Sequence, residues 1–308
     1  MARIERLTEA AKPWIGGFGC ETTMIFHEGF DLPHFAAFPL AASENGKAAL
    51  RRMARRGIEQ ARSGGTGFVL DAETWRANMG WAQAMAMTEA QIRSANRDAV
   101  MLAQEIRDEA GQGTPILIAG TVGPLGDGYD ASWAPTAEIA KDMHRPQAEA
   151  LAEAGVDFAC AMTMTSIAEA TGMARAVLAT GLPLVVSFTV ETDGRLPSGE
   201  ELGRAVAAVD VATGGAPLFY GINCAHPDHF AEVLAGNWTA RIGLIRANAS
   251  RMSHEELDAM EELDDGDPEE FGALSAGLLE RLPNLRILGG CCGSDHRHLG
   301  CVAERLAA

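Results

Sequence analysis

The 308-residue sequence has no apolar run long enough to cross a membrane and no apolar segment near its amino terminus. A membrane-spanning helix needs about 20 consecutive apolar residues. A secretory signal needs an apolar core of about 7–15 residues, whereas the opening stretch MARIERLTEAAKPW carries charges throughout. The sequence alone therefore predicts a cytoplasmic protein that makes no use of a membrane.

Basic residues are scarce as well. The chain has 25 Lys and Arg against 42 Asp and Glu, which gives a formal net charge of −17. Proteins that bind a phosphate backbone present a basic surface, so this charge argues against a nucleic-acid partner. The acidity has a simple interpretation as a solubilising surface. A sharper interpretation is a cationic substrate, such as a sulfonium or a quaternary ammonium compound.

Cysteines are few, but some are clustered. The chain has six, and in the cytoplasm they are expected to stay reduced. Clustered cysteines there indicate metal binding or catalysis rather than disulfides. The length allows two domains, but α/β barrels of about 250 residues form a single domain.

Eight short apolar runs recur along the chain. Each is continuously apolar, as expected for parallel strands that are covered on both faces. The predicted strands are 13–19, 66–73, 115–123, 156–163, 183–190, 217–224, 241–249 and 285–292.

Segments with helical periodicity separate the runs and close the chain. They are 46–62, 88–110, 136–154, 166–179, 200–213, 228–236, 268–281 and 295–306. Glycines follow several of them, at positions that suit a helix C-cap (Gly155, Gly181 and Gly214). This alternation predicts one (β/α)8 TIM barrel over residues 1–308. The acidic insert at 253–267, SHEELDAMEELDDGD, is predicted to be a solvated loop or helix.

Two of the predicted strands end in cysteine. Strand six ends in 221-GINCAHP-227 and strand eight in 289-GGCCGSDH-296. Active sites of such barrels form at the C-terminal ends of the strands, so Cys224, Cys291 and Cys292 are expected to converge. Three thiolates with no obvious fourth ligand are typical of a catalytic zinc site, because structural zinc usually has four protein ligands.

The charge of this ligand set indicates the chemistry. Three thiolates outweigh the charge of Zn²⁺, which makes the metal a poor Lewis acid for activating water. It can still bind a thiol, lower its pKa and leave it able to attack carbon. The prediction is alkyl transfer to sulfur. Alternatives are a zinc hydrolase or lyase and a non-catalytic zinc or thiol sensor. Isolated cysteines at strand ends are more often core residues.

Other cysteines and histidines are weaker candidates. Cys20, near the end of strand one, lies on the same predicted face, whereas Cys160 and Cys301 suit the core. The nearby histidines suit helix capping or surface roles better than metal binding (His226, His296 and His298).

The motifs together resemble the homocysteine S-methyltransferase family over nearly the whole chain. They are GGFGCETT, ETWRAN, GTVGPLGDGY, SFTV, GINCAHP and GGCCG. The family includes S-methylmethionine-dependent and betaine-dependent enzymes and the homocysteine module of cobalamin-dependent methionine synthase. The resemblance implies that Cys224, Cys291 and Cys292 bind zinc, that homocysteine is the acceptor and that methionine is the product.

Two positions depart from the family pattern. Ile15 stands where the family usually has Asp before Gly-Gly, and Met162 stands where it typically has the Glu that holds the homocysteine amine. A thioether cannot pair with an ammonium group. Other groups must then bind an amino-acid acceptor, or the acceptor is another thiol. Four carboxylates at strand ends are candidate replacements (Glu21, Asp71, Glu73 and Glu191).

Three further residues are predicted to contact substrate. The Trp75 ring could attract a cationic donor or pack in the core, and Asn223 could bind substrate or backbone. Thr163 lies beside Met162 at the end of strand four. The predicted substrate-binding set is therefore Glu21, Glu73, Trp75, Asn223 and Thr163.

The prediction as a whole is a cytoplasmic zinc enzyme. It transfers a methyl group from a small charged donor, of the sulfonium or betaine type, to a thiol, with homocysteine as the expected acceptor. Its partners are a small-molecule thiol and a methyl donor, and a homo-oligomer is allowed. The identity of the donor stays open.

Overall fold

The computed structural model describes residues 2–129 and 132–307. Within them, eight parallel strands close into a barrel in which each strand pairs with its neighbours in sequence and the first pairs with the last. The strands are β1 (Trp14–Ile15), β2 (Phe68–Ala72), β3 (Ile116–Val122), β4 (Phe158–Met164), β5 (Leu184–Phe188), β6 (Phe219–Asn223), β7 (Ile242–Ala247) and β8 (Ile287–Gly290). All eight predicted strands are confirmed, and the fold is a single-domain (β/α)8 TIM barrel.

Helices surround the barrel in the described part of the chain. They are α1 (Ala2–Thr8), α2 (Cys20–Thr22), α3 (Glu44–Ser63), α4 (Met79–Ala82), α5 (Glu89–Ala110), α6 (Ala137–Ala154), α7 (Ile167–Leu178), α8 (Leu202–Thr213), α9 (Pro227–Phe230), α10 (His254–Asp258), α11 (Pro268–Gly277) and α12 (His296–Ala307). The predicted helix at 228–236 is broken after α9, because Phe230 leaves helical geometry and only a 3₁₀ turn follows.

The ends of the long helices follow local side-chain chemistry. Thr88 and Gln91 form a reciprocal capping box at the start of α5. Gly155 ends α6 with φ +81°, in the left-handed region where a side chain would be strained. Gly214 is likewise the left-handed C-cap of α8. Gly181 has positive φ, but α7 ends earlier, with Ala179 as its C-cap.

Two apolar layers flank the strands. One packs between the strands and the helices and contains Ile15 and Leu70. The other fills the lower interior of the barrel with side chains from successive strands (Trp14, Val69, Leu117, Phe158, Val185, Phe219, Leu244 and Ile287). Burying each such side chain contributes about 1.5–3 kcal/mol. Above the filled interior there is space for a site toward the C-terminal ends of the strands.

Polar groups begin one layer above this interior core. Successive side chains alternate between the two faces of a strand, so Asp71 follows Val69 on the inside and Arg246 follows Leu244. Arg246 Nη2 lies 2.7 Å from Asp71 Oδ2, and both side chains are more than nine-tenths buried. The pair therefore spans the barrel between β2 and β7 and forms the floor of the space above.

The acidic insert at 253–267 is only partly solvated. Most of its side chains face solvent, and Ser253 with Glu256 caps the short helix α10. His254 differs, because it is only 5% exposed. None of the described helices is long and apolar enough to cross a membrane.

Candidate active site

The three cysteines singled out by their motifs come together at the C-terminal end of the barrel. Cys224 follows β6 directly, and Cys291 and Cys292 follow β8. Their Sγ atoms all lie within 4.8 Å of one another. Among the described residues this is the one group of three or more His, Cys, Asp or Glu side chains close enough to share a metal ion. The structure thus places the predicted ligands together, without His226, His296 or His298.

The backbone around the cysteines is held in unusual conformations. Cys224 has φ +57° and Thr163 has φ +62°, a region that costs non-glycine residues energy unless neighbouring contacts hold them there. Gly290 cannot carry a side chain, because a Cβ there would overlap Ser294. Ser294 Oγ donates instead to the Cys291 carbonyl at 2.7 Å, which fixes the turn that carries the cysteine pair.

Asn223 supplies the contacts that hold these strained residues. Its Oδ1 accepts hydrogen bonds from the Thr163 amide at 2.8 Å and from Ser187 Oγ at 2.7 Å. Its Nδ2 donates to Thr163 Oγ1 at 2.8 Å. Asn223 and Thr163, predicted from the sequence to be substrate-binding residues, line the cavity, but their polar groups are largely engaged with each other. Their direct effect is to join the ends of β4, β5 and β6 beneath Cys224.

Tyr129 covers the cysteine cluster from the loop after β3. Its hydroxyl lies 3.0 Å from Cys224 Sγ and 3.7 Å from Cys292 Sγ. Sequence reasoning assigned no role to this residue, although it is the last residue of the motif GTVGPLGDGY after strand three. The ring stacks on His254, with 3.9 Å between centroids and 15° between planes.

His254 connects the acidic insert to the same cluster. Its Nε2 lies 2.8 Å from the Cys224 carbonyl oxygen, and its Nδ1 lies 3.1 Å from a carboxylate oxygen of Glu191. The sequence offered one signal, since His254 is the only imidazole in an otherwise acidic stretch. Glu191, a candidate for substrate binding, is engaged in positioning this ring and is absent from the cavity wall.

The sulfur cluster readily carries one negative charge. Hydrogen bonds from Cys291 and Cys292, and one from Tyr129, lower the pKa of Cys224 because they stabilise its thiolate. The pKa of Cys292 is raised, since its thiol is hydrogen-bonded to Cys224 and to Cys291 and is buried next to their charge. Full ionisation of all three sulfurs therefore requires a cation among them.

A cavity of about 540 Å³ opens beside the cysteines. The Asp71–Arg246 pair forms its floor. Besides Asn223, the other four predicted substrate-binding residues line its wall (Glu21, Glu73, Trp75 and Thr163). Met162 also lines it and presents a thioether there. Ile15 is outside this cavity, in the apolar layer between strands and helices.

Carboxylates crowd one side of the cavity. Burial raises the pKa of Glu21 to about 7. Burial, with the negative charges of Asp71 and Glu21 nearby, raises the pKa of Glu73 well above its usual value. The buried Cys20 thiol also faces Glu73, and its pKa is raised by burial and by that carboxylate. The wall formed by the ends of β1 and β2 is therefore strongly acidic.

A second, larger cavity of about 1350 Å³ lies outside the first. Both cavities are lined by Phe35, Trp75 and Tyr129, which form an aromatic collar, and by Cys292 of the sulfur cluster. The acidic insert supplies much of the outer wall (Leu257, Asp258, Met260, Glu262, Leu263 and Asp264). The Arg76 guanidinium lies over the Trp81 ring at 3.8 Å.

Comparison with known proteins identifies the family to which this barrel belongs. A closed (β/α)8 barrel with three cysteines converging at its C-terminal end defines a barrel enzyme with a thiolate-lined site. The family model described as homocysteine S-methyltransferase matches residues 63–306. The chain therefore belongs to the homocysteine S-methyltransferase family, and it is an S-methyltransferase.

Individual relatives agree with this assignment. A homocysteine S-methyltransferase of Escherichia coli (strain K12) is 27% identical over 242 residues, which is 72% of this chain and 74% of the relative. A methionine synthase of Mycobacterium leprae (strain TN) is 28% identical over 230 residues, and the match covers 70% of this chain. The matched region is only 18% of that synthase's length.

Solved structures share the fold. The oxidised form of the homocysteine methyltransferase MmuM from Escherichia coli superposes with a TM-score of 0.75 at 21% identity, covering 98% of this chain and 99% of that one. The metallated form of MmuM superposes with a TM-score of 0.73 at 19% identity, with the same coverage. At this identity the likeness supports the barrel fold.

Proposed function

We propose that the protein transfers a methyl group from a small charged donor to the sulfur of homocysteine, giving methionine, at a zinc ion held by Cys224, Cys291 and Cys292. The observation that carries the proposal is the convergence of the three Sγ atoms within 4.8 Å at the barrel mouth. The E. coli relative is a homocysteine S-methyltransferase, which supports the acceptor, and MmuM has a metallated form, which supports the presence of a metal.

The chemistry of the donor set suits zinc. Three thiolates are soft ligands, which select zinc over the hard cations that prefer oxygen. The ends of β6 and β8, which are not adjacent strands, bring the three sulfurs within 4.8 Å of one another. Bound there, zinc would lower the pKa of an acceptor thiol and keep its sulfur nucleophilic.

The protein's own residues then position the reactants. Asn223 holds the strand ends beneath Cys224, and His254 fixes the Cys224 carbonyl. The narrow inner cavity orients the acceptor, so much of the rate enhancement is expected from alignment of the reacting atoms. The acceptor sulfur bonds to the methyl carbon as the donor's bond to that carbon breaks. The donor leaves as a neutral sulfide or amine with the electron pair, and the thiol proton passes to solvent.

The aromatic collar favours a cationic methyl donor. Sulfonium and quaternary ammonium groups are attracted to the faces of aromatic rings, and Phe35, Trp75 and Tyr129 lie between the two cavities. The acidic side chains of the outer cavity add a negative potential with the same preference. A donor that enters through the outer cavity would present its methyl group next to Cys292.

Met162 favours a second candidate, methyl transfer to a different thiol. The inner cavity has no carboxylate at this β4 position, so an acceptor without the homocysteine amine is compatible with that wall. Both candidates predict a thioether product, and they differ only in the acceptor.

A labelled-methyl assay tests the proposal. Zinc-loaded protein is incubated with homocysteine and with trideuteromethyl forms of S-methylmethionine, S-adenosylmethionine, glycine betaine and dimethylsulfoniopropionate. Labelled methionine, detected by mass spectrometry, is the expected product from at least one donor. Labelled thioether from other thiols but not from homocysteine would support the second candidate. The absence of labelled thioether in every combination would contradict both.

A further inference from the structure

We propose that Glu21, Asp71 and Glu73 form an ammonium-binding wall, so that the acceptor is an aminothiol held from the β1–β2 side of the barrel. This inference rests on the proposed thiol methyl transfer and deepens it. It assigns amine recognition to residues at the ends of β1 and β2 rather than to the β4 position occupied by Met162.

The first observation is an unsatisfied buried oxygen. Asp71 is more than nine-tenths buried and lines the inner cavity. Its Oδ2 pairs with Arg246 at 2.7 Å, whereas its Oδ1 has no hydrogen-bond partner. A buried carboxylate oxygen without a donor is costly. A donor from a bound substrate would satisfy it.

The second observation is the charge of the cavity wall. Glu21, Asp71 and Glu73 all line the cavity, where the only Lys or Arg is Arg246, and Asp71 already pairs with it. Within residues 2–129 and 132–307, no ion pair involves Glu21 or Glu73. Arg76 is the next cation, but it lies nearest Asp127 and stacks on Trp81. The wall thus holds more carboxyl groups than cations that could pair with them.

The pKa of Glu73 and of Glu21 is raised, because burial and nearby negative charges oppose ionisation of these groups. An ammonium group bound among them would offset the repulsion between the charges. Each carboxylate is therefore placed where a bound ammonium would convert an unfavourable charge into a hydrogen-bonded pair.

The end of β4 offers no comparable partner for an ammonium group. Met162 presents a thioether, and its Sδ lies 3.4 Å from Cys160 Sγ. The neighbouring Thr163 is bonded to Asn223 through its amide and its hydroxyl. An ammonium group on this side would meet no carboxylate. With its thiol at the cysteine cluster, an aminothiol must therefore direct its ammonium group toward β1 and β2.

A matched set of thiols tests the wall in the zinc-loaded protein. Homocysteine carries both charged groups, 3-mercaptopropylamine keeps only the ammonium, and 4-mercaptobutyrate keeps only the carboxylate. Initial rates of methylation are measured with the donor found most active. Since a desolvated charge pair contributes about 2 kcal/mol or more, we expect kcat/KM for 4-mercaptobutyrate to be at least about 30-fold below that of homocysteine. 3-Mercaptopropylamine should be methylated within about tenfold of homocysteine.

The variants Glu21→Gln and Glu73→Gln identify the residues. Each should raise KM for homocysteine by about tenfold or more, change kcat less, and reduce the discrimination against 4-mercaptobutyrate. The melting temperature should stay equal or rise, because one of three crowded negative charges is removed. A carboxylate with a structural role would instead lower it. Glu59→Gln, on the exposed face of α3, is the matched control.

The outcomes separate this inference from the proposed function. Methylation of 4-mercaptobutyrate as fast as homocysteine would overturn the ammonium wall while leaving thiol methyl transfer intact. The ammonium wall would also be overturned if both Gln variants discriminated against 4-mercaptobutyrate as strongly as the wild-type protein does. If the wild-type protein methylates none of the three thiols with any donor, the proposed function fails, and the inference fails with it.

Discussion

The hydroxyl of Tyr129 lies 3.0 Å from the Sγ of Cys224, and the same ring stacks on His254. Through these two contacts the loop after β3 and the acidic insert meet directly over the cysteine cluster. The residues that surround the predicted metal ligands therefore come from parts of the chain that are distant in sequence, and their contributions can be separated by substitution.

Tyr129→Phe removes the hydroxyl and keeps the ring. A hydrogen bond to a thiolate is charge-assisted. Loss of a side chain that hydrogen-bonds to a metal ligand lowers metal affinity or activity by about 10–100-fold. We expect zinc affinity, measured by competition with a chromogenic chelator, to fall by about tenfold or more. Tyr220→Phe is the control, because its hydroxyl bonds Asp210 away from the site. Equal losses in both variants would rule out a specific effect of Tyr129.

His254→Ala tests the coupling of the acidic insert to the site. The substitution removes the stacking on Tyr129 and the contact with the Cys224 carbonyl. We expect zinc affinity or methyl-transfer rate to decrease by about 10–100-fold. His27→Ala, at an exposed position, should leave both unchanged. A wild-type rate and wild-type zinc affinity in His254→Ala would show that the insert is independent of the site.

Asn223→Ala should destabilise the protein and slow the reaction together. The Thr163 amide and the Ser187 hydroxyl lose their buried acceptor, and an unsatisfied buried polar group costs about 1–3 kcal/mol. Urea unfolding measures the loss of stability. The control is Asn284→Ala. The Asn284 side chain donates an exposed hydrogen bond to the Ala240 carbonyl, so its loss should change stability by less than about 0.5 kcal/mol. A similarly small change in Asn223→Ala would contradict the bracing role.

Gly17→Ala should disrupt the floor of the cavity. A Cβ at this position would lie 2.5 Å from Asp71 Oδ2 and would also overlap the Arg246 guanidinium. The buried pair must shift, and overpacking of this kind costs about 1–3 kcal/mol. Thermal unfolding should show a lower melting temperature. Gly113→Ala meets only Arg62 Nε at 3.9 Å and serves as the control. An unchanged melting temperature for Gly17→Ala would mean that the floor adapts freely.

The barrel and the cysteine cluster were predictable from sequence because both depend on local patterns and one geometric rule. Continuously apolar runs marked the strands, and the C-terminal ends of barrel strands meet at one face. Cys224 and the Cys291–Cys292 pair could therefore be placed together without knowing any loop structure.

The surrounding shell was not predictable for physical reasons. The position of Tyr129 depends on the course of a loop, and His254 lies in a stretch whose composition is typical of a solvated surface. The Asp71–Arg246 pair joins two strands that are not neighbours in the sheet. Only the closed barrel brings such groups within contact distance. Arg246 did carry a signal, as a charge inside an apolar run whose other charge, Arg241, stands at its start.

The central claim is that the three-cysteine cluster holds the zinc required for methyl transfer. Cys224→Ala, Cys291→Ala and Cys292→Ala should each lose bound zinc and activity together. Cys301→Ala, in the last helix and away from the cluster, is the control and should keep both.

The most direct measurement is a zinc titration of chelator-stripped wild-type protein, with formation of labelled methionine followed at each point. The account predicts no activity in the stripped protein and a linear recovery that saturates at about one zinc per chain, as expected for a single site of this type. Full activity in protein shown by elemental analysis to be free of zinc and other metals would contradict it.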